Sequence, residues 1–391
     1  MADHDMSEIS VSIDVSAVPE KPAGAGRYTI ELVRALTADA VPALHLVTRK
    51  GDTTRWREMN AAATLYDVVP SPRPLRLVYE QILLGRKLAK TGIDVHHGPH
   101  YTMPRHCPIP SVVTIHDVTF FERPDVHEKS KVEFFKRAIR YSAAHASVLV
   151  CVSERTAEGL GRHVNVDVPV LVAPHGIDHL RFQPHEQSPG SDEAILTSLG
   201  LVPAMQRIVH VGTLEPRKGL LTLLKAFEGM SSDHPELELV LVGQRGWGMD
   251  DFDTALSGSP VRTRVKELGY VSSESLPALM RTASLLAYPS VDEGFGLPAL
   301  EGLACGAPVV TTSDSVMADM CGEAAWLAGP GDPESLAQTL LQALNAGSSE
   351  REKRAQMGMA RAREFTWEKA AQCHRDAYEL ALSRGVTKRA K

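Results

Sequence analysis

The sequence is poor in cysteine, in aromatic residues and in long apolar runs. Its 5 cysteines among 391 residues are odd in number and lack CxxC spacing, which argues against a disulfide framework and against a zinc site. No apolar run approaches the roughly 18 residues that a membrane-spanning helix needs. The N-terminal residues MADHDMSEIS have neither the basic nor the apolar region of a secretory signal. We therefore expect a cytoplasmic protein.

The sequence also lacks an excess of positive charge. Its 42 lysines and arginines are outnumbered by 48 aspartates and glutamates, which gives a formal net charge of −6. We therefore expect no nucleic-acid partner. The hydrophobic share of 43% is enough to build buried cores, and a chain of this length favours two domains of near-equal size.

Short, continuously apolar runs alternate with helical patterns along the whole chain. Such runs are typical of strands in a parallel sheet that is covered on both faces. The first series of predicted strands comprises residues 9–15, 43–48, 64–69, 93–97, 111–117, 147–153 and 168–174. The second series comprises residues 207–213, 237–243, 267–271, 284–290, 308–312 and 324–328.

Two such series in tandem predict an α/β protein with two doubly wound, Rossmann-like domains. The polar segment HEQSPGSDEA (185–194) is the best candidate for the linker. We therefore place an N-terminal domain at 1–184 and a C-terminal domain at 185–364. The last segment, 365–391, has a helical pattern with no strand after it, and we expect it to pack back on the N-terminal domain.

A glycine-rich loop and the start of a helix follow the predicted strand at 284–290. In the stretch GFGLPALEGLACGAPVV (294–310), the glycines let backbone N–H groups approach a ligand, and the helix dipole favours negative charge there. Glu293 precedes this loop and Glu301 lies one turn into the helix. Taken singly, each carboxylate is explained as a solvated or first-turn residue, so only the combination indicates a site.

A pair of basic residues follows the first strand of the second series, in GTLEPRKGL (212–220). Arg217 can bind a phosphate through two donors at once, and Lys218 adds a compact positive charge. Adjacent basic residues in a loop are usually just solvated. The alternative is that they stabilise the charge that develops on a departing nucleoside diphosphate.

Together these segments resemble the retaining glycosyltransferases of the GT-B fold that are called group 1, or family 4. Glu293 and Glu301 have the E-x7-E spacing of the family, Arg217 and Lys218 match its pyrophosphate-binding pair, and the likeness extends over nearly the whole chain. The resemblance implies two Rossmann-like domains that face a central cleft. It also implies a nucleotide-sugar donor as co-substrate, with no further cofactor.

The resemblance assigns roles to residues of the second domain. Glu293 would contact hydroxyls of the donor sugar, Glu301 would hold the ribose, and Arg217 and Lys218 would stabilise the departing phosphate. Backbone amides of the glycine-rich loop would face the sugar and the phosphates, and Val271 would border the base. The donor-binding set of this domain is Gly212, Val271, Gly294, Phe295, Gly296, Leu297 and Glu301.

Two segments of the first domain complete the expected site. PAGAGRYT (22–29) is a glycine-rich turn, and the family keeps such a loop here, so Gly24 and Gly26 are candidate donor contacts; a tight βα turn is the alternative. His116 ends the strand at 111–117, where doubly wound sheets bind ligands. By resemblance His116 is a catalytic residue that contacts the donor sugar, whereas Asp117 orients the loop.

The sequence contains one formal DxD motif, Asp251-Phe252-Asp253, which is the metal signature of a different transferase fold. That fold carries the motif early, after a single nucleotide-binding domain, whereas here the motif lies in the second domain. We therefore predict that no metal is essential.

A basic helix with aromatic residues is predicted at 128–140, EKSKVEFFKRAIR. Such a helix can lie on an anionic membrane, and LRLVYEQILLGRKLAK (75–90) has a similar character. The alternative is an amphipathic helix that packs on the sheet and keeps a solvated basic side. A peripheral contact with the inner face of a membrane through 128–140 is therefore an open prediction.

The sequence best fits a retaining hexosyltransferase with GDP-mannose as donor and a glycan or lipid-linked acceptor. LEPRKGL and HHGPHYTMP are similar to mannosyl- and related hexosyltransferases that build bacterial polysaccharides or glycolipids. Glucosyl or N-acetylhexosaminyl transfer from a UDP-sugar is the alternative. A nucleotide-sugar epimerase shares the architecture but needs acid–base groups for chemistry at C2. A two-lobed sugar-binding protein has no use for an Arg-Lys phosphate clamp.

Overall fold

The computed structural model describes residues 9–22, 24–38 and 43–389. Residues 1–8, on which the prediction of no secretory signal largely rests, lie outside this range. The chain forms two compact units. The first unit comprises Met1–Gly176 together with Trp367–Lys391, and the second comprises Ile177–Thr366.

The first unit is built on a seven-stranded parallel sheet. Its strands are β1 (Ser10–Asp14), β2 (Ala43–Arg49), β3 (Thr64–Val69), β4 (Val95–Gly98), β5 (Ser111–Ile115), β6 (Val148–Cys151) and β7 (Val170–Val172). Their spatial order is β3-β2-β1-β4-β5-β6-β7. The central strands are buried along their whole length, which is why they read as continuous apolar runs in the sequence.

The second unit is built on a six-stranded parallel sheet. Its strands are β8 (Gln206–Val211), β9 (Leu237–Val242), β10 (Val265–Gly269), β11 (Leu285–Tyr288), β12 (Val309–Thr312) and β13 (Trp326–Ala328). Their order is β10-β9-β8-β11-β12-β13. Both sheets therefore have the doubly wound order in which the chain reverses direction beside the first strand, as the sequence predicted.

Helices connect the strands in both units. In chain order up to the middle of the second unit they are α1 (Ala25–Ala38), α2 (Thr53–Met59), α3 (Arg73–Val78), α4 (Gly85–Leu88), α5 (Thr119–Glu122), α6 (Lys129–His145), α7 (Glu154–His163), α8 (Ser191–Ser198), α9 (Leu220–Met230) and α10 (Asp250–Gly258). The others are α11 (Leu276–Arg281), α12 (Leu297–Ala304), α13 (Val316–Cys321), α14 (Pro333–Leu344), α15 (Ser348–Ala362) and α16 (Trp367–Arg389). A π-helical segment, Tyr79–Leu84, joins α3 to α4. Among the described residues, no helix combines the length and the apolar character that crossing a membrane requires.

The boundary between the units lies after Gly176, earlier than the predicted boundary after residue 184. The prediction followed the polar composition of residues 185–194, but the second unit already holds the residues before them. The amide of Ile177 donates to the carbonyl of Phe365 over 3.1 Å, and Phe182 is buried.

The C-terminal helix α16 contributes to the core of the first unit. Trp367 and Tyr378 are buried in the same apolar cluster as Tyr28 of α1 and the residues of β1. Polar contacts join the same elements: the Tyr28 hydroxyl lies 2.7 Å from His374 Nε2, and the Tyr378 hydroxyl lies 2.9 Å from His97 Nδ1. Because these polar atoms are buried, each would carry an unmet hydrogen bond without its partner.

Burial is the main cause that lowers the pKa of six histidines of the first unit, of which His100 is partly buried and the others are buried: His96, His97, His100, His116, His175 and His374. The pKa falls to about 3 for His96 and His100, and to about 4 for His374. These imidazoles are therefore neutral at pH 7.

We expect mild acid to destabilise the first unit. Below about pH 6.5 the unfolded chain protonates these histidines while the folded unit does not, so each lowers the free energy of unfolding by up to about 1.4 kcal/mol per pH unit. Their unfavourable effect is absent above about pH 6.5 and grows as the pH falls towards about 4. Burial raises the pKa of Asp14 and Glu80, which opposes the effect, but these groups are fewer.

Urea midpoints near pH 7 and near pH 5, followed by circular dichroism, measure this loss. The midpoint is expected to fall on acidification and to recover on return to neutral pH. Equal midpoints at the two pH values would contradict the buried, neutral state of the histidines.

Candidate active site

The strand order places two loops side by side in the second unit. β8 pairs with β11 although β9 and β10 lie between them in sequence, so the sheet reverses its order at this point. Doubly wound sheets bind ligands beyond the carboxyl ends of their strands at such a switch point. The loop after β8 carries Arg217 and Lys218, and the loop after β11 carries Glu293.

The two loops are in direct backbone contact. The amide of Val291 donates to the carbonyl of Arg217 over 2.9 Å. Gly219 has a φ of 68°, and a Cβ at this position would lie 2.1 Å from the carbonyl oxygen of Pro289. Only glycine allows both this backbone conformation and this close approach. Gly219 therefore sets how closely the two loops approach each other.

Glu293 forms ion pairs with both basic residues of the neighbouring loop. One carboxylate oxygen accepts from Arg217 Nη1 over 2.6 Å, and the other accepts from Lys218 Nζ. On its other side, Arg217 donates through Nε and Nη2 to Glu215 over 3.0 and 2.7 Å. These four side chains are between 12% and 17% exposed, so solvent screens their charges only weakly.

The charges of this cluster stabilise one another. Burial alone would raise the pKa of Glu293, but the adjacent Arg217 and Lys218 outweigh it and lower that pKa to about 2. Burial lowers the pKa of the Lys218 ammonium, and the negative charge of Glu293 opposes that shift. Glu293 is therefore ionised throughout the physiological pH range.

The cluster is electrically balanced as it stands, since Glu215 and Glu293 carry two negative charges and Arg217 and Lys218 carry two positive ones. A diphosphate that entered would compete with Glu293 for Lys218 and for Nη1 of Arg217. The displaced carboxylate would then be free to accept hydrogen bonds from hydroxyl groups. The arrangement can therefore exchange an internal carboxylate for a bound anion.

The glycine-rich loop ends at the start of α12. Gly296 has a φ of 93°, and a Cβ there would lie 2.3 Å from Met317 Cγ, so this position also requires glycine. The Tyr288 hydroxyl donates to the carbonyl of Pro298 over 3.2 Å and so ties the first turn of α12 to β11. The Phe295 ring packs edge-on against Phe365 at 5.8 Å, so the predicted ligand contact of this residue is through its backbone amide.

Four further predicted donor residues lie in the second unit. Leu297 begins α12, and Glu301 lies in its second turn, where it is buried. Gly212 follows β8, and Val271 is buried just after β10. The roles of these residues in holding a nucleotide stay predictions.

A buried histidine lies beside the ion pairs and was not identified from the sequence. His210 of β8 bonds through Nδ1 to the carbonyl oxygen of Ala287 over 2.9 Å, so Nδ1 carries the proton and Nε2 is an acceptor. Nε2 is buried and has no hydrogen-bond partner among the described residues. A Cβ on Gly212 would lie 3.5 Å from this Nε2 and 3.7 Å from Lys218 Nζ. The signal was a histidine within the apolar part of β8, two residues before the loop that leads to Arg217 and Lys218.

His116 lies among aromatic rings of the first unit. Its Nε2 donates to the carbonyl of Pro99 over 2.7 Å, and its ring stands edge-on to that of Tyr28 at 4.9 Å. Asp117 accepts from the Tyr101 hydroxyl over 2.7 Å and from the Thr119 amide over 3.1 Å. Asp117 thus orients the loop after β5, whereas the predicted contact of His116 with a donor sugar stays a prediction.

The first unit has a cavity of about 460 Å³ at its own switch point, where β1 pairs with β4. Asp14 at the end of β1 and Gly98 at the end of β4 line it, together with Gly26. Gly24 precedes α1, and its carbonyl accepts from the amide of Tyr28 over 3.0 Å. Of the two predicted glycines, Gly26 therefore borders the cavity and Gly24 starts the helix.

Buried carboxyl groups and an arginine line this cavity, and the sequence did not single them out. Asp14 and Glu80 are each 8% exposed, and Arg76 donates to the carbonyl of Ser16 over 3.0 Å. Burial, and then the charge of Asp14, raises the pKa of Glu80 to about 7. The cavity therefore offers both acceptors and donors of hydrogen bonds, as recognition of a polyhydroxylated ligand requires.

The DxD motif lies at the start of α10. Asp253 accepts two hydrogen bonds from Arg245, which also pairs with Glu267 over 2.8 Å. Within the described ranges, no three histidine, cysteine, aspartate or glutamate side chains form a group that could hold a metal ion.

Solved structures share the fold of nearly the whole chain. WaaG, a glycosyltransferase involved in lipopolysaccharide biosynthesis, is 20% identical with a TM-score of 0.75, over 94% of this chain and 99% of that one. The Anabaena protein HepE in complex with UDP-glucose is 18% identical with a TM-score of 0.72, over 93% and 97% of the two chains. These likenesses show that the chain shares the fold of both proteins.

Two family models place the chain more narrowly. "Glycosyltransferase Family 4" matches residues 22–181, and "Glycosyl transferases group 1" matches residues 193–363. The protein belongs to this family of group 1, family 4 glycosyltransferases. The O-antigen chain mannosyltransferase B of Escherichia coli is 29% identical over 378 residues, which cover 91% of this chain and 96% of that protein.

Replacing Glu293 by glutamine tests the exchange of carboxylate for anion. Glu293→Gln keeps the shape of the side chain but removes the charge that competes for Lys218. We expect glycosyl transfer to fall at least about a hundredfold, while the nucleoside diphosphate product binds as tightly as before or more tightly. Steady-state kinetics and titration calorimetry measure the two effects.

Asp253→Asn is the matched control, because Asp253 also pairs with an arginine of the same unit but is 42% exposed. Its rate of glycosyl transfer should stay within about twofold of that of the unaltered protein, because ion pairs between exposed side chains contribute little. Near-normal turnover of Glu293→Gln would show that Glu293 is not part of the active site.

Proposed function

We propose that the protein transfers a mannosyl group from GDP-mannose to a glycan or lipid-linked acceptor, with retention of anomeric configuration. The observation that carries the proposal is the cluster of Arg217, Lys218 and Glu293 at the switch point of the second unit, beside the start of α12. The choice of mannose rests on the similarity to the E. coli mannosyltransferase, which spans nearly the full length of both proteins.

In the proposed reaction, the bond between the sugar and the diphosphate breaks as negative charge builds up on the phosphate. Arg217 and Lys218 stabilise that charge, and the amides of Gly294, Phe295 and Gly296 add donors at the start of a helix. Glu293, released from Lys218, accepts from the sugar hydroxyls. His116 supplies the sugar contact from the first unit, and Glu301 holds the ribose.

Retention follows from attack on the same face that the diphosphate leaves, through an oxocarbenium-like state. In the proposed reaction the carboxylate of Glu293 accepts from sugar hydroxyls and that of Glu215 stays bound to Arg217, so neither attacks the sugar carbon. Same-face attack therefore fits this site better, because it needs no protein nucleophile, whereas a covalent intermediate needs one.

A UDP-sugar is the alternative donor. HepE, with the same fold, was crystallised with UDP-glucose, and glucosyl or N-acetylhexosaminyl transfer would use the same clamp. A nucleotide-sugar epimerase is the other alternative, and it would convert its substrate without any acceptor.

Thermal shifts with nucleoside diphosphates test the donor. GDP is expected to raise the melting temperature more than UDP, and Lys218→Met should abolish the rise because the phosphate loses its cation. Transfer or slow hydrolysis of GDP-mannose should be unaffected by EDTA. A larger shift with UDP would indicate a UDP-sugar as donor and would leave the phosphate-binding role of Arg217 and Lys218 unchanged. No shift with any nucleotide would contradict the proposal.

We further propose that the cavity of the first unit binds the terminal sugar of the acceptor. Asp14 and Glu80 would accept or donate hydrogen bonds to its hydroxyls, and Arg76 would donate. The entering sugar removes water from Glu80, which favours the neutral carboxyl. The protonated form of Glu80 should therefore bind the acceptor better than the ionised form.

The pH dependence of the acceptor KM tests this role. With a pKa of about 7 for Glu80, the acceptor KM should rise by up to about tenfold between pH 6 and pH 8. Glu80→Gln should remove this rise while hydrolysis of the donor in the absence of acceptor keeps its own pH profile. A rise that persists in Glu80→Gln would assign the titration to another group.

The predicted membrane contact through residues 128–140 stays a prediction. Phe135 of α6 is buried against Phe120, with ring centroids 4.6 Å apart. Lys131 pairs with Glu128 over 2.9 Å, and Arg137 pairs with Glu133 over 2.8 Å. Two of the five basic residues of this segment are thus paired with acidic ones, and one of its two phenylalanines is turned inward.

A further inference from the structure

His210 of β8 has one ring nitrogen to which the proposed reaction gives no role. Its Nδ1 donates to the carbonyl of Ala287 on β11 over 2.9 Å, so the neutral ring carries its proton there and Nε2 is an acceptor. The side chain is fully buried, and Nε2 has no hydrogen-bond partner within the part of the chain that the structure describes. A buried acceptor without a partner is uncommon and costs free energy, so it indicates a function.

The ring of His210 is neutral at physiological pH. Burial lowers its pKa to about 4, although the hydrogen bond to Ala287 opposes this shift, and the positive charge of Lys218 adds to it. An unprotonated nitrogen repels a phosphate oxygen, because both offer lone pairs, but it can accept from an N–H or O–H group. Nε2 is therefore suited to a hydrogen-bond donor and not to the phosphate itself.

The end of the Lys218 side chain lies beside Nε2. A Cβ on Gly212 would lie 3.5 Å from His210 Nε2, 3.5 Å from Lys218 Cε and 3.7 Å from Lys218 Nζ. Because Gly212 has no side chain, the imidazole and the ammonium border one and the same space. The ammonium is turned towards the carboxylate of Glu293, and rotation about the last bonds of a flexible side chain would bring it to Nε2.

The exchange of Glu293 for a bound anion would give Nε2 its partner. Once a diphosphate has displaced Glu293, the ammonium of Lys218 has lost the carboxylate that holds it. The Lys218 side chain is only 13% exposed, so its N–H groups need acceptors from the protein or the ligand. Phosphate oxygens would accept from the N–H groups that face the ligand, and Nε2 would accept from one that faces the sheet.

We propose that His210 is a positioning residue for Lys218, whose ammonium donates to His210 Nε2 when Glu293 is displaced and is thereby held against the phosphate. The inference rests on the proposed function, because it needs a diphosphate at Arg217 and Lys218. It gives His210 no contact with the substrate and no proton transfer. His210 acts only through the orientation and the charge of Lys218.

Heteronuclear NMR of the histidine ring nitrogens in the full chain tests this contact. The resonance of an unprotonated ring nitrogen moves upfield when that nitrogen accepts a hydrogen bond. We expect Nε2 of His210 to move upfield with GDP or UDP, whichever raises the melting temperature more. It should also move without nucleotide in Glu293→Ala, where Lys218 has lost its carboxylate partner. The nitrogens of His45 on β2, whose buried Nδ1 also has no hydrogen-bond partner among the described residues, should not move.

Two replacements of His210 separate the acceptor from the bond to Ala287. Asparagine keeps an N–H near the position of Nδ1 and removes Nε2, whereas glutamine brings an amide oxygen near the position of Nε2. We expect His210→Asn to lower kcat about tenfold with a smaller change in KM, because Lys218 acts mainly on charge that develops in the transition state. His210→Gln should recover most of this loss. A histidine that only ties β8 to β11 predicts the reverse order.

The pH profile of kcat gives a second readout for the same pair of variants. Burial lowers the pKa of Lys218; the charges of Glu293 and Glu215 oppose this shift, and that of Arg217 adds to it. Loss of an acceptor for the ammonium lowers this pKa further. The alkaline fall of kcat should therefore begin at lower pH in His210→Asn than in His210→Gln. His45→Asn is the matched control, and its kcat should stay within about twofold of that of the unaltered protein.

Failure of this inference and failure of the proposed function give different results. If the unaltered protein binds the nucleotide and Nε2 of His210 stays unmoved both there and in Glu293→Ala, the inference is wrong. Movement with nucleotide but not in Glu293→Ala would also overturn it, since the ligand would then be the donor. Movement in Glu293→Ala without binding of any nucleotide would support the contact with Lys218 and contradict the proposed function. The nucleotide experiment needs no His210 variant, so it decides even if His210→Asn does not fold.

Discussion

The chemistry of the second unit depends on the parallel pairing of β8 with β11. That pairing brings two loops, far apart in sequence, close enough for Gly219 to touch the backbone of Pro289 and for Glu293 to reach two cations. Without it, Arg217 and Lys218 would be two solvated basic residues. Solvent screens the charges of this cluster only weakly, so a single carboxylate can hold both cations in place.

Both units have this sheet topology, but the groups at the two switch points suit different ligands. In the first unit the corresponding pairing, of β1 with β4, opens a cavity instead of joining two loops. There burial raises the pKa of the carboxyl groups, whereas in the second unit the carboxylate is kept ionised by its neighbours. One sheet end thus suits hydroxyl groups and the other suits phosphate. Sheet topology supplies the place, and the local dielectric and neighbouring charges decide which ligand fits.

Much of this architecture could be predicted from the sequence, because strands buried on both faces leave an unmistakable apolar run. The motifs around Arg217 and Glu293 were also readable, since each combines chemistry with a position at a strand end. His210, Glu80 and Arg76 were missed, because their importance comes from where the fold places them and not from any local pattern. The boundary at Gly176 was missed because composition marks a polar surface, whereas a unit ends where its backbone contacts end.

Segment 73–88, which consists of α3, the π-helical turns and α4, shows more clearly what amino-acid composition cannot predict. It and residues 128–140 look alike as sequences, with basic and apolar residues mixed. The fold turns Phe135 inward and pairs Arg137 with Glu133, but it leaves Ile82 and its neighbours outside. Tertiary contacts make this difference, and the sequence periodicity of neither segment predicts it.

The return of α16 to the first unit bears on how the chain is made. The residues before Gly176 leave the ribosome before Trp367 and Tyr378 exist, so the core around Tyr28 stays incomplete until α16 has been made. The second unit, continuous from Ile177 to Thr366, has all its parts as soon as it emerges. Domains that fold as units during synthesis would therefore form here in reverse, with the later half of the chain finished first.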